Sequence, residues 1–131
     1  MFDKKDMFSF RKIDNQEKTD SKFKALMDAS PDPIVIYDKK GKTTYMNSAF
    51  ETVYGYPQEE ILGRKIDFVP EEEHDKTRHA WQRTIQGEKV YFETRRRTKD
   101  GKILDIQMST AISKDKNNTH SESIVIHRDI T

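Results

Sequence analysis

The side chains that could do chemistry are few, and their spacing limits what that chemistry is. His74 stands at the start of a helical stretch and Trp81 follows at i+7, about two turns on, so both share the face that also carries Ile85 and His74 is expected to point inward. In the first turn it meets the positive end of the helix dipole, which favours neutral imidazole, the form that ligates haem iron. His79 is about 160° round the helix from Trp81 and is expected in solvent. His120, in a polar loop, and His127, near the end of the last strand, read as surface residues. His74-Asp75 with a distant serine lacks any nucleophile-elbow phrase, and the glycines sit at turn positions without forming a phosphate cradle. The domain is therefore read as having no catalytic machinery.

Two further groups bear on binding. Arg64, Arg78 and Tyr45 are conceivable polar contacts for a small carboxylate or aromatic metabolite. Arg95-Arg96-Arg97 followed by Lys99 resembles a nucleic-acid patch at first sight, but in a strand Arg96 faces away from Arg95 and Arg97, which breaks the basic stripe. The expected role is charge protection of an exposed strand, with no nucleic-acid partner. Cysteine is absent from the sequence, which excludes disulfides, thiolate metal sites and cysteinyl photoadducts.

The elements that must position these residues can be read from periodicity. Residues 1–19 show neither clean period and are expected to form a flexible arm. Asp20 or Ser21 can cap a short helix in which Phe23, Leu26 and Met27 make an apolar stripe, closed by Ser30-Pro31. Ile34 to Tyr37 and Thr43 to Met46 flank Asp38-Lys39-Lys40-Gly41 as a hairpin. Asn47 and Ser48 can cap a short helix carrying Phe50 and Val53 and ending at Gly55; another turn runs from Pro57 to Gly63. Pro70 with three glutamates starts a longer helix that stops at Gly87. Even spacing of Val90, Phe92 and Thr94, then of Leu104, Ile106 and Met108, makes a long hairpin, and a last strand covers Ser123 to Ile130. This order predicts an α+β fold, a five-stranded antiparallel sheet with short helices and one longer helix on one face, plus an N-terminal helix.

Length and composition agree with one core. The chain has 131 residues, 33% hydrophobic and 36% charged, which suits a single thin-cored domain, and its net charge of +1 gives no field to steer it to nucleic acid or an anionic membrane. No apolar run approaches a membrane span and the N-terminus has no signal-like apolar region, so a cytoplasmic location without membrane contact by this segment is expected.

Several phrases, taken together, resemble the PAS family in its S-box version. They are Ser30-Pro31-Asp32-Pro33-Ile34, Asp38-Lys39-Lys40-Gly41, Met46-Asn47-Ser48-Ala49-Phe50, Tyr54-Gly55-Tyr56-Pro57 running on to Gly63, Lys99-Asp100-Gly101, and the closing Asp129-Ile130-Thr131. The resemblance covers residues 21–131 and sets the expected domain at 20–131. It implies the N-terminal sensory domain of a bacterial signalling protein, with an effector domain beyond residue 131, a histidine kinase or else a diguanylate cyclase. It also implies a pocket between helices and sheet. The lining expected from periodicity is Ile36, Tyr45, Phe50 and Val53, then Ile61, Phe68 and Trp81, then Phe92, Ile106 and Met108, with Asn47 and His74 as polar members. The haem-binding branch takes its axial histidine from the longer helix, which makes His74 the haem-iron candidate; otherwise no tightly bound cofactor is expected. Phe23, Leu26 and Met27 are the expected homodimer contact, and Asp129, Ile130 and Thr131 the signal output. The competing reading is a ligand-free interaction scaffold with a collapsed pocket.

Overall fold

The computed structural model describes the backbone of residues 4–114 and 121–131, and the side chains of residues 17–114 and 122–131. His120 therefore lies outside the described residues. The first element is a 26-residue helix, α1 (Lys4–Ala29). The stretch expected as an arm is helical from Lys4, and no cap interrupts it at Asp20 or Ser21. The range contains neither glycine nor proline, so nothing in the backbone stops a helix until Ser30-Pro31. The contacts divide the chain after Ser30, and α1 forms a unit of its own.

The second unit begins with β1 (Ile34–Tyr37) and β2 (Thr43–Met46), followed by α2 (Ser48–Tyr54) and α3 (Gln58–Ile61). A 3-10 turn (Glu71–Glu73) leads into α4 (His74–Ile85), and β3 (Val90–Arg97), β4 (Ile103–Lys114) and β5 (Ser121–Asp129) complete it. The strands form one sheet in the order β2-β1-β5-β4-β3, with every neighbouring pair antiparallel. The last strand thus lies in the middle of the sheet, between the first and the fourth.

Local chemistry explains the corners. Asp38 accepts hydrogen bonds at Oδ1 from the amides of Lys40 and Lys42, each at 2.9 Å, and Gly41 supplies the positive φ of 82° that closes the hairpin. Asn47 caps α2 and Gly55, at φ 83°, ends it in the left-handed conformation. The same Asn47 does more than cap. Its Oδ1 accepts from Ile34 N at 2.8 Å and from Phe50 N at 3.2 Å, while Nδ2 donates to Asp32 O at 3.0 Å, so one buried amide fixes β1 to α2.

The core lies between the helices and one face of the sheet. Phe50 and Tyr54 of α2, Ile61 of α3 and Phe68 meet Val35, Ile106, Met108 and Val125 from the strands. Phe50 and Tyr54 meet at a tilt with ring centroids 4.8 Å apart, and Tyr54 meets Phe68 edge-on at 5.3 Å. Two backbone bonds fasten this layer to the β3–β4 hairpin, Arg97 N to Phe68 O and Lys99 N to Tyr54 O, both at 2.8 Å.

Candidate functional site

A cavity of about 420 Å³ opens between α4, the segment from Lys65 to Val69, and the sheet. Its wall is mostly apolar, with Ile66, Phe68 and Val69 on one side, Trp81 of α4 on another, and Phe92, Met108 and Val125 from the strands. That size and lining suit a small organic molecule. The strand registers explain the floor. Phe92 pairs with Met108 and Met108 with His127, so the three stand side by side on one face, while Tyr37 pairs with Ser123 farther along β5.

Four buried polar side chains line this cavity: Thr84 is 1% exposed, Arg96 2%, Ser123 2% and His127 0%. Arg96 Nη1 donates to Thr94 Oγ1 and to Arg95 O, each at 2.8 Å, and Nη2 donates to Thr77 Oγ1 at 3.1 Å. Its guanidinium lies over the Phe68 ring, 5.5 Å from the centroid. Arg96 Nε, Ser123 Oγ and His127 Nε2 have no hydrogen-bond partner among the described residues, although each is buried. Buried polar atoms are normally satisfied, so three such atoms around one cavity require an explanation.

His127 sits in a cage of Phe50, Tyr54 and Phe68, with ring centroids 5.4 to 5.9 Å away. Its Nδ1 is 2.8 Å from Tyr54 Oη. Burial first, and the nearby Arg96 charge second, push the imidazole pKa down from 6.5 to about 3, so the ring is neutral under physiological conditions. The same burial raises the Tyr54 and Tyr37 hydroxyls, which stay protonated, and lowers Arg96, with the two tyrosines and Glu73 opposing that shift.

The expected lining is only partly found here. Phe68, His74, Trp81, Phe92 and Met108 line the cavity; Ile36, Tyr45, Asn47, Phe50, Val53, Ile61 and Ile106 do not. Phe50, Ile61 and Ile106 are consumed by the core, Val53 packs against it, and Asn47 is spent on the bonds described above. Ile36 and Tyr45 pair with each other on the sheet face opposite Val35, whose neighbour Tyr37 lines the cavity in their place. Four consecutive apolar residues in β1 conceal which alternate pair faces in.

The helix phase also differs from expectation. The buried face of α4 carries Ala80 and Thr84, with Thr77 and Trp81 beside them, whereas Ile85 is exposed. His74 is exposed at the cavity rim and its Nε2 donates to Val69 O at 3.1 Å. That nitrogen is engaged, so the ring does not offer it to haem iron inside the cavity. Arg78 is at the rim, exposed and bonded to Asp75 at 2.9 Å, while Arg64 and Tyr45 are elsewhere. His79 is exposed as expected, but His127 is the most deeply buried histidine of those described. Its position between Ile126 and Arg128 gave no apolar alternation to reveal this. Arg96 was accessible to such a reading, because it follows Phe92 and Thr94 at even spacing on the inward face of β3.

Comparison with known proteins agrees with this architecture. The PAS fold family model matches residues 21–130. The chain belongs to the PAS family. A PAS domain from Colwellia psychrerythraea is 26% identical, with a TM-score of 0.76, covering 85% of this chain and 96% of that one. The PAS domain of an HTR-like protein from Haloarcula marismortui is 27% identical, with a TM-score of 0.73, covering 92% and 98%. A PAS domain from a two-component sensor histidine kinase, 21% identical with a TM-score of 0.73 over 87% and 98%, shares the fold. No curated protein matches the chain. PAS domains are in general sensory and non-catalytic. Among the described residues, no helix is long and apolar enough to cross a membrane and no group of three or more His, Asp or Glu is placed to hold a metal ion.

Proposed function

We propose that this PAS domain is the input module of a cytoplasmic signalling protein: it binds a small molecule in the cavity beneath α4 and passes the state of that cavity along β5 to an effector, a histidine kinase, C-terminal in the same protein. The observation that carries this reading is the position of β5. The strand supplies Ser123, Val125 and His127 to the cavity wall and then leads directly into Asp129-Ile130-Thr131. Ile130 and Thr131 are tied to β4 at one residue: Ile130 N donates to Asp105 O at 2.9 Å, and Thr131 Oγ1 accepts from Asp105 N at 3.0 Å. Asp129 Oδ1 accepts from Thr131 N at 2.9 Å, and the Thr131 hydroxyl first and its amide second lower the Asp129 pKa. A ligand that moves β5 relative to β4 strains this clasp, which is how two packings of the sheet would differ at the output. The kinase partner follows from the family resemblance and from the name of one structural relative.

The same reading assigns α1 to homodimer contact. Phe23 is 40% exposed and Leu26 68% on the helix, with Met27 half-buried beside them.

Native mass spectrometry of the protein purified without a ligand-stripping step tests both parts. The expected result is one extra small-molecule mass per chain, with the monomer giving way to a dimer as concentration rises. A bare polypeptide mass at every concentration, even when small-molecule extracts are added back, would contradict ligand binding and leave an interaction scaffold. A haem mass would return attention to the histidines.

A further inference from the structure

We infer that α4 is a lid over the cavity: it pivots on its first turn, lifts at its Thr84 end and so admits the small molecule. The inference rests on the reading that the cavity binds a small molecule, and it adds the way in and the part that moves.

Little apolar surface holds α4 to the sheet. The helix has two large apolar side chains, of which Ile85 is 48% exposed and Trp81 lies half-buried in the cavity wall. Its buried residues are Ala80 and Thr84, and among the described residues no member of the apolar core cluster comes from it. Thr77, Ala80, Trp81 and Thr84 line the cavity, so the helix lies over open space, whereas α2 presses Phe50 and Tyr54 into close-packed core. A segment with so little buried apolar contact opens at a lower free energy than the core it covers.

The polar ties are unequal at the two ends. At the start, His74 Nε2 donates to Val69 O, Lys76 Nζ to Glu93 O and Arg96 Nη2 to Thr77 Oγ1, each at 3.1 Å, so three bonds hold residues 74–77. At the far end a single side-chain bond reaches the sheet among the described residues. Thr84 Oγ1 gives its proton to Ala80 O at 2.8 Å, which leaves Thr110 Oγ1 as the donor in the 2.6 Å pair that joins α4 to β4. Just beyond stands Gly87, at φ 100°, with nothing within 4 Å of the place a side chain would take, so the chain has an unobstructed joint there. The Arg83–Glu88 ion pair spans that joint at the surface, where water weakens it. One bond between two neutral hydroxyls is thus the latch, and the first turn is the pivot.

Hydrogen exchange of the unliganded domain over a urea series tests the lid without any ligand. Relative to their intrinsic rates, the amides from Arg78 to Ile85 are expected to exchange at least a hundredfold faster than those of Met108 and Val125, with a weaker dependence on urea. Thr84→Val keeps the shape of the side chain and removes the latch. It should speed exchange from Trp81 to Ile85 about tenfold and leave Met108 and Val125 unchanged. The chain has no cysteine, so Thr84→Cys with Thr110→Cys allows one specific staple at the latch. Oxidation should slow exchange in α4 at least tenfold, and N-phenyl-1-naphthylamine, a neutral apolar fluorophore, should enter the cavity at least tenfold more slowly than in the reduced form. Amides of α4 that exchange together with Met108 and Val125, at the same rate and urea slope, would overturn the lid. Equal entry rates in the oxidised and reduced forms would overturn α4 as the way in. An α4 that opens as expected in a domain that takes up no fluorophore in either form would overturn the ligand reading, and with it the entry claim, while keeping the motion.

Discussion

Asn47→Ala is expected to destabilise the domain by about 3 kcal/mol, a large fraction of the stability of a domain this size. Asn47 is 1% exposed and its amide makes three separate connections. Losing it strands the Ile34 N–H in the interior, removes an acceptor from the first turn of α2 and removes one donor to Asp32 O. The Phe50 N–H retains a second acceptor, Asn47 O at 3.2 Å, which keeps the effect from being larger. Urea denaturation checks the prediction: the midpoint should fall while the slope stays constant. Asn47→Ser, which can still cap α2 but cannot reach both partners, should lie between. A change under about 1 kcal/mol for alanine would mean that β1 and α2 are held together by packing alone.

Lowering the pH from 7 to 5 is expected to remove about 2 kcal/mol of stability through His127 alone. In the unfolded chain the imidazole takes a proton near pH 6.5, whereas in the fold it resists until about pH 3. Between those values the unfolded state binds more protons, so stability rises with pH through the window and is level above it. The carboxylates held below their usual range, Asp38, Asp100 and Asp129, destabilise only as pH falls below about 4, outside the interval from 7 to 5. Stability measured by urea at pH 7, 6 and 5 should therefore slope in the wild type and flatten in His127→Phe. The variant starts from a lower baseline because Tyr54 loses its partner. An unchanged slope in His127→Phe would remove His127 from the account of acid sensitivity.

The strand and helix order was legible in the sequence because punctuation is strong in this chain. Gly41, Gly55 and Gly87 sit where the backbone needs positive φ, Pro31 ends α1, and the β3–β4 hairpin alternates cleanly from Val90 to Met108. What failed was phase. In Ile34-Val35-Ile36-Tyr37 every residue is apolar, and in Ile124-Val125-Ile126 the same run hides that Ser123 and His127 share the inward face. The arginine run and His127 were also assigned outward by type. Arg96 and His127 contradict that assumption because the fold gives them partners: Thr77, Thr94 and the face of Phe68 for one, Tyr54 and an aromatic cage for the other. The site is the place where type and position disagree, as expected where a fold carries function.

The central claim is that the cavity flanked by Arg96, Ser123 and His127 is the input and β5 the path to the output. Nitrogen-15 NMR of the labelled domain tests it most directly, following the Arg96 Nε–H and His127 Nε2–H side-chain signals during a titration with the small molecule that co-purifies with the domain. The account predicts that both move together to saturation at one ligand per domain, and that the backbone amides of Asp129, Ile130 and Thr131 move with the same midpoint. Side-chain signals that stay fixed while the ligand saturates, or terminal amides that do not respond, would contradict it.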